Sequence, residues 1–296
     1  MQFEAKQFYS DGLKLSGGFF VPDDLDPDAP QPLVIPCSGF TGLMNIHPAR
    51  FARALTARGR LCFGFDYRGF AESEGPRGRV ILDEQVRDIL NAVAFAKSDP
   101  RVDGSKVVLL GWGMAGGLIL DAAHALPGLA GLIAANGFFD GPAVQRAHRG
   151  DEGFDAFLRE AERQRAEIAG TGEDVAVDPF ELYPLDAQSR GYVDAVLRKT
   201  PDYDAQPYSW AMADSLLRWM PIEAAGRLGV PMLIVHGDAN KLHPVSEAER
   251  LHAAYGGPSE LYWVAGAGHT EWMLDDDPKF RATAAKIAAW LDGALG

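Results

Sequence analysis

Short runs of apolar residues alternate along the chain with longer stretches that have the spacing of a helix. Two alternating runs, 3–9 and 13–21, are joined by a Ser-Asp-Gly turn and predict a hairpin. Continuous apolar runs predict strands that are covered on both faces, and these lie at 32–37, 61–66, 106–111 and 129–135. The first half of the chain therefore contains six predicted strands.

Amphipathic segments separate most of these runs. One helical face carries Leu82, Val86, Ile89, Leu90 and Val93, and this pattern ends before Asp99-Pro100. Further helices are predicted at 48–58 and 114–126. Strands that alternate with helices predict right-handed βαβ units, and hence a parallel sheet with helices on both faces.

The alternation stops near residue 141 and resumes near residue 231. Strands are predicted at 231–237 and 260–264, and helices at 246–255 and 278–295. The interruption has helical spacing and no buried-strand run. We therefore predict a core formed by 1–140 and 229–296, with 141–228 as an inserted helical cap. Such an insertion lies above the carboxyl ends of the strands, where ligands bind in parallel sheets.

The predicted cap has two chemical features. Residues 151–200 contain twelve acidic and six basic residues, a pattern typical of a solvated helical face. This acidity favours a neutral, apolar substrate over an anionic one. Large apolar side chains either close a pocket or only pack, and they are Phe180, Tyr183, Trp210, Met212, Leu216, Trp219 and Met220.

Composition narrows the class of protein further. The 296 residues include 41 acidic and 28 basic side chains, for a net charge of -13, which gives no electrostatic footprint for nucleic acid or an anionic membrane. The first residues lack a basic segment followed by an apolar one, and no stretch reaches 18 apolar residues. We therefore expect a cytoplasmic protein. Cys37 and Cys62 lie in apolar runs without a CxxC partner, so no metal or redox site is indicated.

A glycine-rich segment at 111–117, Gly-Trp-Gly-Met-Ala-Gly-Gly, follows a predicted strand and opens a predicted helix. This is the setting of the nucleophile elbow, G-x-S-x-G. Four other segments carry related patterns in order along the chain, and they are Cys-Ser-Gly-Phe-Thr-Gly at 37–42, Phe-Asp-Tyr-Arg-Gly-Phe-Ala-Glu-Ser at 65–73, His-Gly-Asp-Ala-Asn at 236–240 and Gly-Ala-Gly-His at 266–269. With these five segments the chain resembles the α/β-hydrolase superfamily over nearly its whole length. The resemblance implies an α/β-hydrolase fold, with a mostly parallel central sheet flanked by helices and a helical cap.

The same resemblance reveals a degenerate catalytic triad. Gly113 occupies the position of the nucleophilic serine, and Asn240 occupies that of the acid. Only His269 stands where the resemblance implies a catalytic residue. Without a serine Oγ no acyl-serine intermediate can form at this elbow. An asparagine carbonyl can still accept the Nδ1–H bond of His269 and orient the ring.

A site of this kind retains the means for carbonyl chemistry. The resemblance implies an oxyanion hole from the backbone amides of Phe40 and Met114, helped by a helix N-terminus. The missing serine leaves space for a water or a substrate atom, and His269 would act as a general base. Ser38, where the family usually has histidine, and Trp112 complete the predicted substrate-binding residues.

These features predict an enzyme that needs no cofactor or metal and no nucleophilic serine. It would hydrolyse, cleave or cyclise a small acyl or carbonyl compound, such as an ester, thioester, lactone or keto acid. Its partner would be this small molecule and not a nucleic acid or a membrane, and assembly as a homodimer is left open.

Other residues are candidates for the same chemistry. Asp238 would supply a displaced carboxylate or brace its turn, and Asp140 is another position for the acid. Cys37 is either an alternative nucleophile or a buried thiol. His236 and His243 lack a third ligand at suitable spacing, which argues against a metal site.

Three alternative functions stay open at this point. The chain is a non-catalytic, receptor-like binder, or an ordinary serine esterase in which Gly113 was introduced by engineering. A nucleotide site is the third, since Gly111, Gly113 and Gly116 spell G-x-G-x-x-G. That motif occurs late in the sheet and lacks the acidic residue about twenty positions on that a dinucleotide site requires.

Overall fold

The computed structural model describes residues 1–26, 29–201, 203 and 206–295, and most of its strands form one eight-stranded sheet. The strands of this sheet are β1 (Gln2–Ser10), β2 (Leu13–Val21), β3 (Gln31–Cys37), β4 (Leu61–Phe65), β5 (Val102–Trp112), β6 (Gly131–Ala135), β9 (Met232–Gly237) and β10 (Ser259–Val264). Their spatial order is β1-β2-β4-β3-β5-β6-β9-β10. The β1–β2 and β2–β4 pairs are antiparallel and the others are parallel. The predicted, mostly parallel sheet is therefore confirmed.

Helices flank this sheet as the amphipathic segments predict. They are α1 (His47–Thr56), α2 (Leu82–Lys97), α3 (Ala115–Ala125), α8 (Val245–Ala254) and α9 (Pro278–Leu295). Helix α1 packs against α9, whereas α2 packs against α3. The central strands are buried along nearly their whole length because helices cover both faces, which explains their continuous apolar runs.

The segment between β6 and β9 is mostly helical. It contains α4 (Gly141–Thr171), α5 (Pro179–Leu182), α6 (Ala187–Ala195), α7 (Ala211–Leu217) and 3-10 turns at Leu197–Lys199 and Pro221–Arg227. It also contains a short antiparallel pair, β7 (Ala176–Val177) and β8 (Tyr208–Ser209), which the sequence pattern does not predict. Helix α4 begins at Gly141, the first residue of the predicted cap, whose positions 202, 204 and 205 lie outside the described residues. We call residues 141–228 of this segment the cap.

Trp219, in the second half of the cap, contacts helix α3 of the core. Trp219 donates an indole hydrogen bond to Asp121 of α3 at 2.7 Å. Its ring lies on Gly117, where an added Cβ would be 2.4 Å from the ring. Within the described residues, no helix combines the length and apolarity needed to cross a membrane.

Candidate active site

The elbow at Gly113 has the backbone conformation of a sharp strand-to-helix turn. Strand β5 ends at Trp112 and helix α3 begins at Ala115, and Gly113 between them has a φ of +58°. Glycine adopts this left-handed conformation without the strain that a side chain incurs. A Cβ built on Gly113 would have no protein atom nearer than 3.8 Å. A serine would therefore fit sterically, although the backbone would be strained.

The neighbouring glycines of the elbow are explained by close packing. A Cβ on Gly111 would lie 2.2 Å from the Ala115 carbonyl oxygen, and one on Gly116 would lie 2.9 Å from the Gly137 Cα. Real Cβ atoms do not approach other atoms so closely. The G-x-G-x-x-G spacing thus follows from the tight turn and from helix–strand contact, without a pyrophosphate.

The loop that contains Gly39 and Phe40 lies against the elbow, where the resemblance implies an oxyanion hole. A Cβ on Gly39 would lie 3.4 Å from the Met114 nitrogen and 2.7 Å from the Trp112 carbonyl oxygen, so the two loops are in contact. In the described part of the chain, neither Phe40 nor Met114 uses its amide as a donor to another protein group. The Phe40 carbonyl instead accepts a hydrogen bond from the Tyr208 hydroxyl of the cap at 3.1 Å.

His269 lies in the loop after β10 and faces the elbow. Its Nε2 is 3.8 Å from the position of a Cβ on Gly113. Its ring centroid is 5.5 Å from that of Trp112 and 4.4 Å from that of His243. Burial keeps the pKa of His269 well below its usual value, so the ring is neutral near pH 7.

Asn240 determines which nitrogen of His269 carries the proton. The backbone N–H of His243 can only donate, and it meets the Asn240 Oδ1 at 3.0 Å. The other atom of this amide, Nδ2, lies 3.2 Å from the His269 Nδ1. An NH2 group has no acceptor capacity, so Nδ1 must accept and the proton of the neutral ring resides on Nε2.

This hydrogen bond runs in the opposite direction to the one expected from sequence, where the asparagine carbonyl accepts from Nδ1. The consequence is chemical, because a protonated Nε2 donates a hydrogen bond and cannot accept a proton. The bonding of His269 therefore argues for a donor role and against the predicted role of general base.

A second histidine, His243, lies beside His269 and has the opposite polarity. Its Nδ1 is 2.5 Å from the Asn136 carbonyl oxygen, which can only accept, so Nδ1 carries the proton. Its Nε2 therefore accepts, and it does so from the hydroxyl of Tyr183 in the cap. Burial lowers the pKa of His243 well below its usual value and raises that of Tyr183 well above it.

A cavity that is partly open to solvent connects these groups. The space in it that admits a water-sized sphere is about 60 Å³. The core contributes Phe40, Trp112, Gly113, Met114, His243 and His269 to its wall. The cap contributes Phe180, Tyr183, Leu185, Ser189, Tyr192, Val193 and Leu197. Of the apolar cap residues singled out in the sequence, only Phe180 and Tyr183 line the cavity, and most of the others are packing residues.

The remaining carboxylate candidates have structural partners. Asp238 is exposed, and its Oδ1 accepts a hydrogen bond from the Gly266 amide at 2.7 Å. Asp140 caps α4 by accepting from the Ala143 amide at 2.9 Å, and it pairs with Arg250. In this structure both carboxylates brace loops, and His269 has an amide as its side-chain partner on Nδ1.

The other candidates are buried away from the reacting position. Cys37 is fully buried, and burial raises the pKa of its thiol, as expected of an inert side chain. His236 donates from Nε2 to the His243 carbonyl oxygen at 3.0 Å, and burial lowers its pKa to about 4. Ser38 is buried, does not line the cavity, and its Oγ has no hydrogen-bond partner among the described residues.

Asn136 is the residue that the sequence reasoning missed altogether. It follows β6 with a φ of +47°, a conformation that asparagine tolerates better than most residues. Its side chain donates to the His269 carbonyl oxygen at 2.7 Å and accepts from the Gly237 amide at 2.8 Å. Together with its bond to His243, these contacts fix both histidine loops. The only sequence signal is an asparagine at the carboxyl end of a predicted strand.

The sheet order, the elbow and the histidine loop together define an α/β hydrolase. A family model described as "Serine aminopeptidase, S33" matches residues 28–276, and the chain belongs to this family.

The chain is also similar to several individual proteins. An uncharacterized 31.7 kDa protein from the traX-finO intergenic region of Escherichia coli is 28% identical over 283 residues, which covers 95% of this chain and 96% of that protein. The quorum-quenching protein AidA of Acinetobacter baumannii is 32% identical over 136 residues, or 46% of this chain and 44% of that protein. The structure of DcsB in complex with its substrate analogue superposes with a TM-score of 0.83 at 19% identity, covering 99% of this chain and 100% of that one. This last likeness concerns the fold alone.

Proposed function

We propose that this chain is a cofactor-independent enzyme of the α/β-hydrolase fold that hydrolyses a small, neutral acyl compound without a nucleophilic serine. The observation that carries the proposal is the position of His269, whose Nε2 lies 3.8 Å from a Cβ built on Gly113. The resemblance adds two donors, the backbone amides of Phe40 and Met114, which donate to no protein group in the described part of the chain. A substrate carbonyl oxygen bound by these donors would be polarised in the ground state and stabilised as an oxyanion in the transition state.

The substrate class follows from the wall of the cavity and from the missing nucleophile. Aromatic and aliphatic side chains form most of this wall, which favours an apolar acyl group. Water must attack directly, so an activated carbonyl such as a thioester, a lactone or an aryl ester needs least assistance. The hydrolase family to which the chain belongs is consistent with acyl chemistry of this kind.

The second departure from the triad supports a site built without serine. Asn240 bonds to both His243 and His269, so its amide is an integral part of the hydrogen-bond network. A serine esterase altered only at Gly113 would retain an aspartate at position 240.

The test is turnover of para-nitrophenyl butyrate, S-phenyl thioacetate and γ-butyrolactone by the purified protein. We expect hydrolysis of at least one, and a fall in kcat of roughly 10²–10³ for His269→Ala, the usual effect of losing an oxyanion donor. His269→Gln retains an NH2 donor and should lose less than His269→Ala. The exposed His252→Ala serves as the control for reaction at surface histidines.

Two results would contradict the proposal. Equal losses for the glutamine and alanine variants would indicate that His269 is a base. Binding of these compounds to wild-type protein without any turnover would favour the receptor-like alternative.

A further inference from the structure

The Tyr183–His243 hydrogen bond joins the cap to the core inside the cavity. Tyr183 follows α5 of the cap, and His243 lies in the loop between β9 and α8. The Asn136 carbonyl oxygen holds the proton of His243 on Nδ1. The Nε2 of this ring therefore has a lone pair, which accepts the hydrogen bond from the Tyr183 hydroxyl. A buried phenol thus donates to a neutral imidazole whose orientation is fixed by the bond of its Nδ1 to the Asn136 carbonyl oxygen.

This pair lies next to the reacting position. The Cε1 of His243, one bond from its Nε2, is 3.9 Å from the position of a Cβ on Gly113. Both Tyr183 and His243 line the cavity with His269 and Met114. The Phe40 ring of the oxyanion loop stacks on Tyr183 with a centroid distance of 5.0 Å. Tyr183 therefore lines the same cavity as the proposed oxyanion hole, and its hydroxyl is bonded to a ring that faces the elbow.

We propose that Tyr183 is the proton-transferring residue of this site and that His243 is its relay partner. The inference rests on the proposed function and names the base that this function lacks. The Tyr183 oxygen accepts a proton from the attacking water while its own proton moves to the Nε2 of His243. The water oxygen bonds to the carbonyl carbon, and the π electrons move to the oxygen held by the donors.

The reverse transfers complete the reaction. As the bond to the leaving group breaks, the leaving group takes a proton from Tyr183, and His243 returns its proton to the phenol. One ester and one water become one acid and one alcohol, and both residues recover their starting protonation. The carbonyl oxygen of Asn136, bound to Nδ1–H, stabilises the transient imidazolium.

The two histidines carry their protons on different nitrogens, and they therefore have different roles. His269 presents a proton from Nε2 and therefore serves the oxyanion, whereas His243 presents a lone pair from Nε2 and therefore serves proton transfer. Burial disfavours the charged forms of both Tyr183 and His243, so the pair rests neutral and a proton moves only in concert with the substrate. Because Tyr183 belongs to the cap, the base depends on the contact between the cap and the core.

The test compares Tyr183→Phe with Tyr255→Phe on whichever of the three probes the wild-type protein hydrolyses. Tyr255 is the control, since it is also a buried tyrosine, but it lies outside the described cavity wall and its hydroxyl donates to the Val230 carbonyl oxygen at 2.7 Å. We expect Tyr183→Phe to lower kcat at least 100-fold with KM changed less than threefold, in the range of general-base catalysis. Tyr255→Phe should stay within about threefold of wild type in kcat.

The solvent isotope effect on kcat gives a readout that packing alone does not move. It should be present in the wild type and in Tyr255→Phe, and it should be lost or strongly reduced in Tyr183→Phe. A kcat for Tyr183→Phe within threefold of wild type would overturn this inference and leave the proposed function standing. So would a change in KM alone, since that result means that the phenol only holds the cap. Absence of turnover by the wild type would instead remove the proposed function, and this inference with it.

Discussion

At the scale of single residues, the side chain at position 240 decides the chemistry of His269. An aspartate accepts a hydrogen bond from Nδ1–H and leaves Nε2 free as a base, whereas the asparagine here donates to Nδ1 and places the proton on Nε2. Both side chains have nearly the same shape, so the geometry of the triad survives while its proton is on the wrong nitrogen for serine activation. The two departures, Gly113 and Asn240, are consistent with one another.

This consistency predicts that restoring serine alone is insufficient. Gly113→Ser should give little gain in hydrolysis of para-nitrophenyl butyrate, because His269 Nε2–H cannot accept the serine proton. Gly113→Ser with Asn240→Asp should gain about 10³–10⁴-fold over Gly113→Ser, the scale by which a wrong tautomer slows serine proteases. A pre-steady-state burst of para-nitrophenol would report the acyl-enzyme. A strong gain from Gly113→Ser alone would contradict the assigned tautomer.

At the scale of elements, the cap and the core meet through the glycines of α3. Gly117 has no room for a Cβ, because the Trp219 ring and the Phe138 carbonyl oxygen would lie at 2.4 and 2.9 Å. Helix propensity alone would favour alanine there by about 1 kcal/mol. Close approach of the cap therefore outweighs local helix preference at this position.

Replacing this glycine is expected to loosen the cap. Gly117→Ala should lower the free energy of unfolding by about 1–3 kcal/mol, the usual effect of overpacking. Gly191→Ala in α6 is the control, because an added Cβ there meets no atom within 4 Å. That variant should be neutral or more stable by up to about 1 kcal/mol. Urea denaturation measures both, and equal effects of the two substitutions would argue against the Trp219 contact.

The strands and helices of the core were largely predictable because their signals are local. The apolar run at 32–37 and the helical spacing at 82–93 correspond to β3 and α2 within one residue at the starts. The two-residue strands β7 and β8 carry no period, so no pattern could reveal them. Strand β5 begins at Val102, four residues before the predicted run. Residues 103–106 of this strand are partly buried or exposed, so they do not form part of a continuous apolar run.

The site was predictable only as far as its motifs extend. Gly113, Asn240 and His269 were recognisable from the surrounding glycines and the HGD pattern. The Tyr183–His243 bond joins residues 60 positions apart in the chain, and only the fold brings them together. The direction of the Asn240–His269 bond depends on the backbone amide of His243, a partner that side-chain motifs do not contain.

At the scale of the whole molecule, the interior holds several histidines in their neutral form. Burial lowers the pKa of His47, His243 and His269 well below the usual value, and lowers that of His236 to about 4. The unfolded chain binds protons at these rings below about pH 6.5, whereas the folded chain does not. Their contribution to stability is therefore complete above pH 6.5 and declines as the pH falls.

Two buried carboxyl groups act in the opposite sense over part of the same range. Burial raises the pKa of Asp121 to about 6 and also raises that of Glu247. The folded chain binds protons at these groups before the unfolded chain does, so they favour folding as the pH falls towards 4. The four histidines outnumber them, and the net slope should still be destabilisation by acid.

The substitution His236→Gln measures how much one of these histidines contributes to the pH dependence of the free energy of unfolding. His236 carries its proton on Nε2, bound to the His243 carbonyl oxygen, and its buried Nδ1 has no partner among the described residues to stabilise a second proton. Unfolding should therefore take up one proton at this ring between the pKa of histidine in the unfolded chain and the folded pKa of about 4. Over that range, the ring should make the free energy of unfolding fall by about 1.4 kcal/mol for each unit by which the pH is lowered. Urea denaturation of wild type and His236→Gln at pH 4.5, 5.5, 6.5 and 7.5 measures the slope. Below pH 6.5, the free energy of unfolding should fall with pH less steeply in the variant than in the wild type, by about 1.4 kcal/mol per pH unit. Above pH 6.5, the two slopes should be equal. Equal slopes below pH 6.5 would mean that His236 takes up a proton in the folded protein.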